Sequence, residues 1–230
     1  MAKELPKSAR VVIVGGGVIG CSIAYHLTKL GVSDVVLLER KQLTSGTTWH
    51  AAGLIGQLRD NHTMTALAQY TAELYKELEE ETGQATGYKI NGSLSTATNA
   101  ERMEDLVRRA DMAKVFGLQV DVLGPQGCKD HHPLIEVHDV VGGIFIPSDG
   151  QADPIGITQA LAKGARNGGA EIFENMLVND IITDGTKVTG VVTDEGTITA
   201  DSVVLACGMW TRELAGRLGV TVPLHACEHF

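Results

Sequence analysis

Positive charge is scarce in this sequence: 19 lysines and arginines stand against 28 aspartates and glutamates, a formal net charge of -9 in 230 residues. Binders of a phosphate backbone concentrate Lys and Arg into a basic surface, so no nucleic-acid partner is expected. Long hydrophobic runs are also missing. Val11 to Val14, Val35 to Leu38 and Ser202 to Ala206 are only strand-length, far short of the roughly 20 apolar residues that span a bilayer, and no membrane span is expected. Met1 to Lys7 has neither the apolar core of a secretory signal nor an Arg-rich transit pattern. Cys21, Cys128, Cys207 and Cys227 make no Cys-x-x-Cys pair, and they read as reduced thiols in a cytoplasmic or matrix-like compartment. His131 and His132 precede Pro133 in a loop without metal-ligand spacing, and His225 and His229, four apart in a stretch that reads as strand, lack a tetrahedral partner set. No metal is expected.

What remains is a chain with 43% hydrophobic residues, enough to bury a sizeable core. Arg10 to Val14 is apolar and β-branched after its first residue, the pattern of a strand buried on both faces of a parallel sheet. A glycine turn follows. Helical spacing of Val18, Ile19, Ile23, Leu27 and Leu30 then predicts a helix that Gly31 ends. With Val35 to Leu38 as the next buried strand, this is a βαβ unit of about 30 residues. Lys41 to Gln57, rich in Thr, Ser, Gly and Ala, reads as a long ordered loop, and loops of that size in a compact domain are usually functional.

Met64 to Thr82 reads as a helix with Leu67, Tyr70, Leu74 and Leu78 on its buried face and Glu77, Glu79, Glu80 and Glu81 on a solvated one. Between Tyr88 and Pro147 short strands (Leu94 to Ala97, Val120 to Leu123, Val140 to Ile146) surround a helix over Ala100 to Phe116, a second, mixed sheet. A helix over Pro154 to Asn167 and four strands (Leu177 to Thr183, Lys187 to Thr193, Gly196 to Ala200, Ser202 to Ala206) return to the first domain. The expected division is a discontinuous nucleotide domain, 8–84 and 148–219, and an inserted cap, 85–147 and 220–230. Asp149 and Asp153 can be read as a carboxylate pair, but Asp153 before Pro154 is more simply a helix cap with Pro at the first helical position.

The first chemical signal is Gly15-Gly16-Gly17-Val18-Ile19-Gly20. In G-x-G-x-x-G, one glycine serves a tight turn, one lets the backbone touch a pyrophosphate, and one lets helix and strand pack closely. This match follows a buried strand, opens a helix, and has Glu39 at the end of the next strand, 19 positions past Gly20. A carboxylate there accepts hydrogen bonds from ribose hydroxyls and repels a 2'-phosphate, which fits FAD or NAD and excludes NADP.

The segments Leu177 to Thr183 and Ala206-Cys207-Gly208 resemble the two-dinucleotide-fold flavoproteins of the glycine oxidase and sarcosine oxidase type. The resemblance favours FAD. It implies that the first segment packs over adenine with Val178 at the contact, and that the second passes close to the dinucleotide. Thr44-Ser45-Gly46-Thr47-Thr48-Trp49-His50-Ala51-Ala52-Gly53-Leu54 is similar to the sarcosine and dimethylglycine dehydrogenase family, as are Asp149 to Pro154 and Gly208-Met209-Trp210. That resemblance implies a Rossmann-like FAD-binding domain with an inserted mixed-sheet substrate domain. It makes His50 the residue bonded covalently to the flavin 8α-methyl group, a tether that strengthens the flavin as oxidant. Ser45, Thr47 and Thr48 would contact phosphate and ribitol. Val18, Ile19, Arg40, Ala52, Gly53, Leu54 and Trp210 complete the implied cofactor set. Arg59 is the candidate for a substrate carboxylate, because its planar fork suits one; a plain surface arginine is the alternative.

The implied activity is oxidative demethylation of an N-methyl amino acid, sarcosine-like, with hydride passing from the N-methyl carbon to flavin N5. Dimethylglycine dehydrogenase and a non-catalytic regulatory relative are the alternatives. In the family, electrons leave through electron-transfer flavoprotein and tetrahydrofolate captures formaldehyde on a C-terminal domain. The residues past the point matching Phe230 complete the cap and cover the flavin, so a chain ending there is expected to be C-terminally incomplete and to turn over little. A eukaryotic version would sit in the mitochondrial matrix.

Overall fold

The computed structural model describes residues 4–227. His229 and the last residue of the expected 220–230 segment, Phe230, lie outside the described residues, as do residues 1–3. In chain order the elements are β1 (Ser8–Val14), α1 (Val18–Lys29), β2 (Val35–Leu38), a 3-10 turn (Thr48–His50), β3 (Leu54–Ile55), α2 (His62–Thr82), β4 (Lys89–Ile90), β5 (Ser93–Ala97) and α3 (Ala100–Val115). Then come β6 (Asp121–Leu123), α4 (Pro125–His131), β7 (Gly142–Ile146), β8 (Gly150–Gln151), α5 (Pro154–Asn167), β9 (Glu171–Phe173), β10 (Val178–Thr183), β11 (Val188–Thr193), β12 (Gly196–Leu205), a 3-10 turn (Gly208–Trp210) and α6 (Thr211–Arg217). Among the described residues no helix is long and apolar enough to cross a membrane.

Two compact units form. The first takes the chain up to Ala52, Leu78–Thr86, and the chain from Pro154 onward. Its sheet has the order β10-β11-β12-β1-β2-β9. β12, β1, β2 and β9 run parallel, and β11 and β10 add antiparallel strands at one side. β1 is central because its Val12, Ile13 and Val14 leave almost no surface exposed on either face. Val12, Val36, Val191 and Ile198 meet in one apolar cluster with Leu38, Phe173 and Val178. The two strands expected at Gly196 to Ala200 and Ser202 to Ala206 are one. The first half of β12 pairs with β11 and the second with β1, so Asp201 stays in extended backbone, exposed, instead of making a turn.

α1 buries Cys21, Ala24 and Tyr25 and packs on α5, where a Cβ on Gly164 would lie 2.6 Å from the Tyr25 ring. Tyr25 Oη donates to Glu81 at 2.7 Å, and Glu79 accepts from both the backbone N–H and the hydroxyl of Thr86. The acidic run at the end of α2 is therefore not simply a wet face: two of its carboxylates fold back to satisfy local donors. The expected apolar face of α2 is also rotated. Leu67 and Tyr70 are 56% and 51% exposed, while Thr65, Ala72 and Leu78 are buried.

The second unit, Gly53–Glu77 with Gly87–Asp153, holds two antiparallel three-stranded sheets, β3-β8-β4 and β5-β7-β6. Leu106, Ala110 and Ala113 of α3 pack on Ala97, Ile144 and Ile146 of the larger one. Asn99 caps α3, its side chain accepting from Arg102 N at 2.8 Å. Residues 53–77 and 148–153, expected with the nucleotide domain, fall in this unit, and 220–227, expected in the cap, fall in the first. No strand forms over 220–227, so the expected strand there is absent; backbone from Val220 turns back to Ala215 and Leu224 to Val222.

Asp149 is 3% exposed and accepts from Gln57 N at 2.9 Å and from Ser93 Oγ at 2.5 Å. Both oxygens thus hold the second unit together. Removing them strands a buried donor, Gln57 N, and a half-buried one, Ser93 Oγ, at about 1–3 kcal/mol for a buried group. Asp149→Ala is expected to lower unfolding free energy by about 2–4 kcal/mol, read from the urea midpoint; an unshifted midpoint would refute the assignment.

Candidate functional site

A cavity of about 780 Å³ opens in the first unit beyond the carboxyl ends of β1, β2 and β12, lined there by Val14, Leu38 and Leu205. That is where open parallel sheets bind their ligands. The glycine turn forms its floor. Gly15 has φ +114°, and a Cβ on it would strike the Ala206 carbonyl; a Cβ on Gly20 would strike the Gly15 carbonyl. These two glycines serve contact between β1, α1 and the end of β12, and Gly20 does not line the cavity. Gly17 does, and a Cβ on it would meet only Thr48 Oγ1, at 3.0 Å. Gly16, the variable position of the motif, is required too: a Cβ there would lie 2.5 Å from Leu43 Cδ2 and 2.8 Å from Glu39 Cβ.

Glu39 lines the cavity half-buried. Its Oε2 accepts from Gly16 N at 2.7 Å and its Oε1 from Lys41 N at 2.9 Å. The carboxylate is thus aimed before any ligand arrives, and each oxygen keeps a lone pair for a sugar hydroxyl. Its backbone bonds Phe173 O and Met176 N, which brings residues 176–179 alongside. Met176, Leu177, Val178 and Asn179 line that side of the cavity.

The loop after β2 is held over the turn. Thr44 is buried with φ +74°, a left-handed backbone that a β-branched residue adopts only under constraint. The constraint comes from Thr44 N bonded to Gly16 O at 3.0 Å and from Leu43 N bonded to Glu174 Oε1 at 2.7 Å. Thr48 Oγ1 accepts from Val18 N at 3.0 Å, satisfying one of the free N–H groups that open α1. Thr47, Thr48 and Ala51 line the cavity, together with Val18 and Ile19. His50 ends the 3-10 turn, exposed, its ring 4.2 Å from that of Trp49; it lies between cavity-lining Thr48 and Ala51 without lining the cavity itself. Ser45 and Ala52 are exposed and do not line it. Gly53, Leu54 and Arg59 belong to the second unit, where Arg59 is exposed and donates through Nη1 to Leu58 O at 3.2 Å.

The turn after β12 supplies the opposite wall. Ala206, Gly208 and Trp210 line it, and Arg40 lies over the Trp210 ring, 4.2 Å from the centroid. Sequence reasoning missed the residues that follow, Glu213, Leu214 and Arg217, because the seven-residue α6 is too short for a period to show. Arg217 donates to Asn179 O at 2.5 Å and pairs with Glu213 at 3.0 Å, at i,i+4 spacing.

Cys207 also lines the cavity, its thiol donating to Val14 O at 3.3 Å. Burial, and next the Glu39 charge, push the thiol up from 9.0 to about 11; burial pushes Cys21 up to about 12. Both are neutral thiols near pH 7. Among the described residues no group of His, Cys, Asp and Glu is arranged to hold a metal ion.

The features fit a dinucleotide: a glycine turn whose Gly15 and Gly17 line the cavity, a prealigned carboxylate one strand over, and hydroxyls beyond the turn. The family model described as FAD dependent oxidoreductase (DAO) matches residues 10–230. The chain is 44% identical over 225 residues, 98% of its length, to a 4-methylaminobutanoate oxidase (formaldehyde-forming) of Paenarthrobacter nicotinovorans, of which that covers 27%. It is 42% identical to human mitochondrial sarcosine dehydrogenase over 99% of its length and 26% of that protein. It is 39% identical to the mitochondrial pyruvate dehydrogenase phosphatase regulatory subunit of Mus musculus over 98% of its length and 26% of that protein. The chain thus spans about a quarter of the length of these three relatives. The solved structure of L-proline dehydrogenase from P. horikoshii superposes with a TM-score of 0.88 at 28% identity, covering 94% of this chain and 57% of that one.

Two measurements probe the cavity. Glu39→Ala is expected to weaken FAD by about tenfold or more, since hydrogen bonds to a charged group contribute about 1.5–3 kcal/mol; unchanged affinity in a fluorescence titration removes Glu39 from the site. A thiol reagent at pH 8 should modify exposed Cys227 quickly and leave Cys21 and Cys207 intact, with Cys207 reacting first as pH approaches 11. Both folded-state values lie above 9.0, so the stability these neutral thiols contribute is present below pH 9 and is lost as pH rises through about 11 and 12. Rapid labelling of Cys21 at pH 8 contradicts its buried placement.

Proposed function

The chain belongs to the FAD dependent oxidoreductase (DAO) family, and from that premise we propose that it binds FAD in an enzyme that oxidatively demethylates an N-methyl amino acid of the sarcosine kind. The observation that carries the reading is the convergence of Gly17, Glu39, Thr47 and Thr48 on one cavity. When bound, FAD supplies the two-electron acceptor for a hydride from the N-methyl carbon, after which water adds to the imine and releases formaldehyde.

Glu39 takes the ribose hydroxyls, and Gly15 to Val18 present backbone to the pyrophosphate at the start of α1. Thr48, its oxygen already accepting from Val18 N, has its hydroxyl proton left for a phosphate or ribitol oxygen. Ser45 and Thr47 add donors along the same loop. His50 is the proposed covalent tether, an imidazole nitrogen bonded to the flavin 8α carbon. The new bond replaces a methyl C–H and the imidazole N–H, and both hydrogens leave to an oxidant such as dioxygen. Arg59 is assigned to the substrate carboxylate through its fork of donors. Electrons then pass to an acceptor of the electron-transfer flavoprotein kind, in a mitochondrial matrix or cytoplasm, and tetrahydrofolate capture is assigned to no residue of this chain.

The likeness to the murine regulatory subunit supports a second reading, a regulatory protein that keeps the fold without turnover. The natural full-length protein separates them. Acid-precipitated and washed, it should keep flavin fluorescence on a denaturing gel, and His50→Ala should lose it; a colourless parent refutes the tether, and a fluorescent variant refutes His50. Formaldehyde release from sarcosine above that from dimethylglycine or 4-methylaminobutanoate is expected, and no release from any of them favours the regulatory reading.

A further inference from the structure

The loop after β2 has an anchor that lies outside both the glycine turn and the cavity wall. The turn from β9 into β10 runs alongside the residues that leave β2 and bonds them in two ways. Main chain meets main chain where Glu39 N donates to Phe173 O at 2.9 Å, Asn175 N to Lys41 O at 2.7 Å, and Met176 N to Glu39 O at 2.8 Å. A further bond runs from Leu43 N to the side chain of Glu174, Oε1, at 2.7 Å, between residues 131 positions apart. Glu174 does not line the cavity. Asn175, beside it, has φ +58°, a left-handed backbone that asparagine tolerates, so the chain there is a fixed turn and not a continuation of β9.

The two kinds of bond act on different parts of the loop. The main-chain bonds hold Glu39 and Lys41, and no substitution at position 174 removes them. The side-chain bond holds Leu43, which is 3% exposed and whose Cδ2 fills the space a Cβ on Gly16 would take. Next comes Thr44, at φ +74° with its own N–H on Gly16 O, and from it the chain departs toward Thr47, Thr48 and His50. A strained β-branched residue keeps such a backbone only while its surroundings over-determine it. Loss of the Leu43 anchor therefore frees Thr44 to relax and the loop beyond it to shift, while Glu39 stays where it is.

We propose that Glu174 is a positioning residue for the flavin end of the cofactor: by accepting from Leu43 N it sets the conformation of residues 44–50, and through them the places of Thr47, Thr48 and His50. Glu174 itself touches no cofactor. The inference rests on the FAD reading above. Apparent affinity falls by the fraction of molecules whose loop is aligned, so the side chain acts on a ligand that reaches past the glycine turn and not on one confined to the nucleotide end at Glu39.

The test uses the full-length protein, expressed under riboflavin starvation and carrying His50→Ala so that binding stays reversible, titrated calorimetrically with FAD and with AMP. Adding Glu174→Ala is expected to weaken FAD by about fivefold or more, the range for one hydrogen bond to a carboxylate, and to leave AMP within about twofold. Glu174→Gln should recover most of the FAD loss, because its amide oxygen still accepts from Leu43 N. With His50 intact, in air-saturated buffer and at saturating FAD, Glu174→Ala should slow the appearance of acid-stable flavin fluorescence by about fivefold or more. Unchanged FAD affinity in Glu174→Ala overturns the proposal, as do equal losses for FAD and AMP, which mark a general fold defect. A Gln variant as weak as the Ala variant overturns it too, since charge and not the accepted bond would then matter. A parent that binds FAD but never becomes fluorescent after acid refutes the His50 tether alone, and the FAD and AMP titrations still decide Glu174. A parent that binds no FAD refutes the FAD reading and this proposal with it.

Discussion

The contact between Gly15 and the Ala206 carbonyl governs the first unit. β1 and β12 are hydrogen-bonded neighbours, and their ends come so close that no side chain fits at Gly15. The same crowding recurs one turn later, where Gly20 rests on the Gly15 carbonyl, and it sets α1 directly over the end of β1. From that placement Thr48 Oγ1 reaches Val18 N, and Gly16 N reaches Glu39. The cavity results from three strand ends held at backbone contact, with no large side chain between them.

The legibility of this arrangement in the sequence varied with the range of the forces involved. α1, β2 and α5 could be read almost to the residue and β1 to within two, because each is a run of one period, with Gly15 after β1, Gly31 after α1, Pro154 opening α5 and charged residues on both sides of β2. The glycine spacing and Glu39 pointed to the end of the sheet where the cavity opens, since each residue there answers a local steric or hydrogen-bonding demand. The merging of two expected strands into β12 was not legible: Asp201 looks like a turn residue, and only its two different neighbours keep it extended. The rotated face of α2 was hidden for a similar reason, since Leu67 and Tyr70 are apolar by type while Thr65 and Ala72 are buried by position. Gly16 was readable in principle but masked by a motif that treats its position as free.

Asp149 shows how a polar residue can be misjudged in the other direction. A carboxylate four residues from a second one invites a chemical role, yet its oxygens are consumed by Gln57 and Ser93 inside the second unit. Glu39 has the same kind of backbone partners, but it is half-buried and lines a cavity, so lone pairs stay available there. The difference between a structural and a functional carboxylate here is the direction its spare lone pairs face. Residue type and spacing alone do not carry that information.

The central strand has a consequence for how the chain is made. Thr199 bonds Lys7 through both its backbone N–H and its hydroxyl, across 192 positions of sequence. At about 5–20 residues per second of synthesis, one edge of β1 waits roughly 10 to 40 s for its partner to leave the ribosome. During that interval a strand that is apolar from Val11 to Val14, with free N–H and C=O groups, is a template for mispairing with other chains. The nascent protein is therefore most in need of a chaperone between the completion of β2 and the emergence of β12.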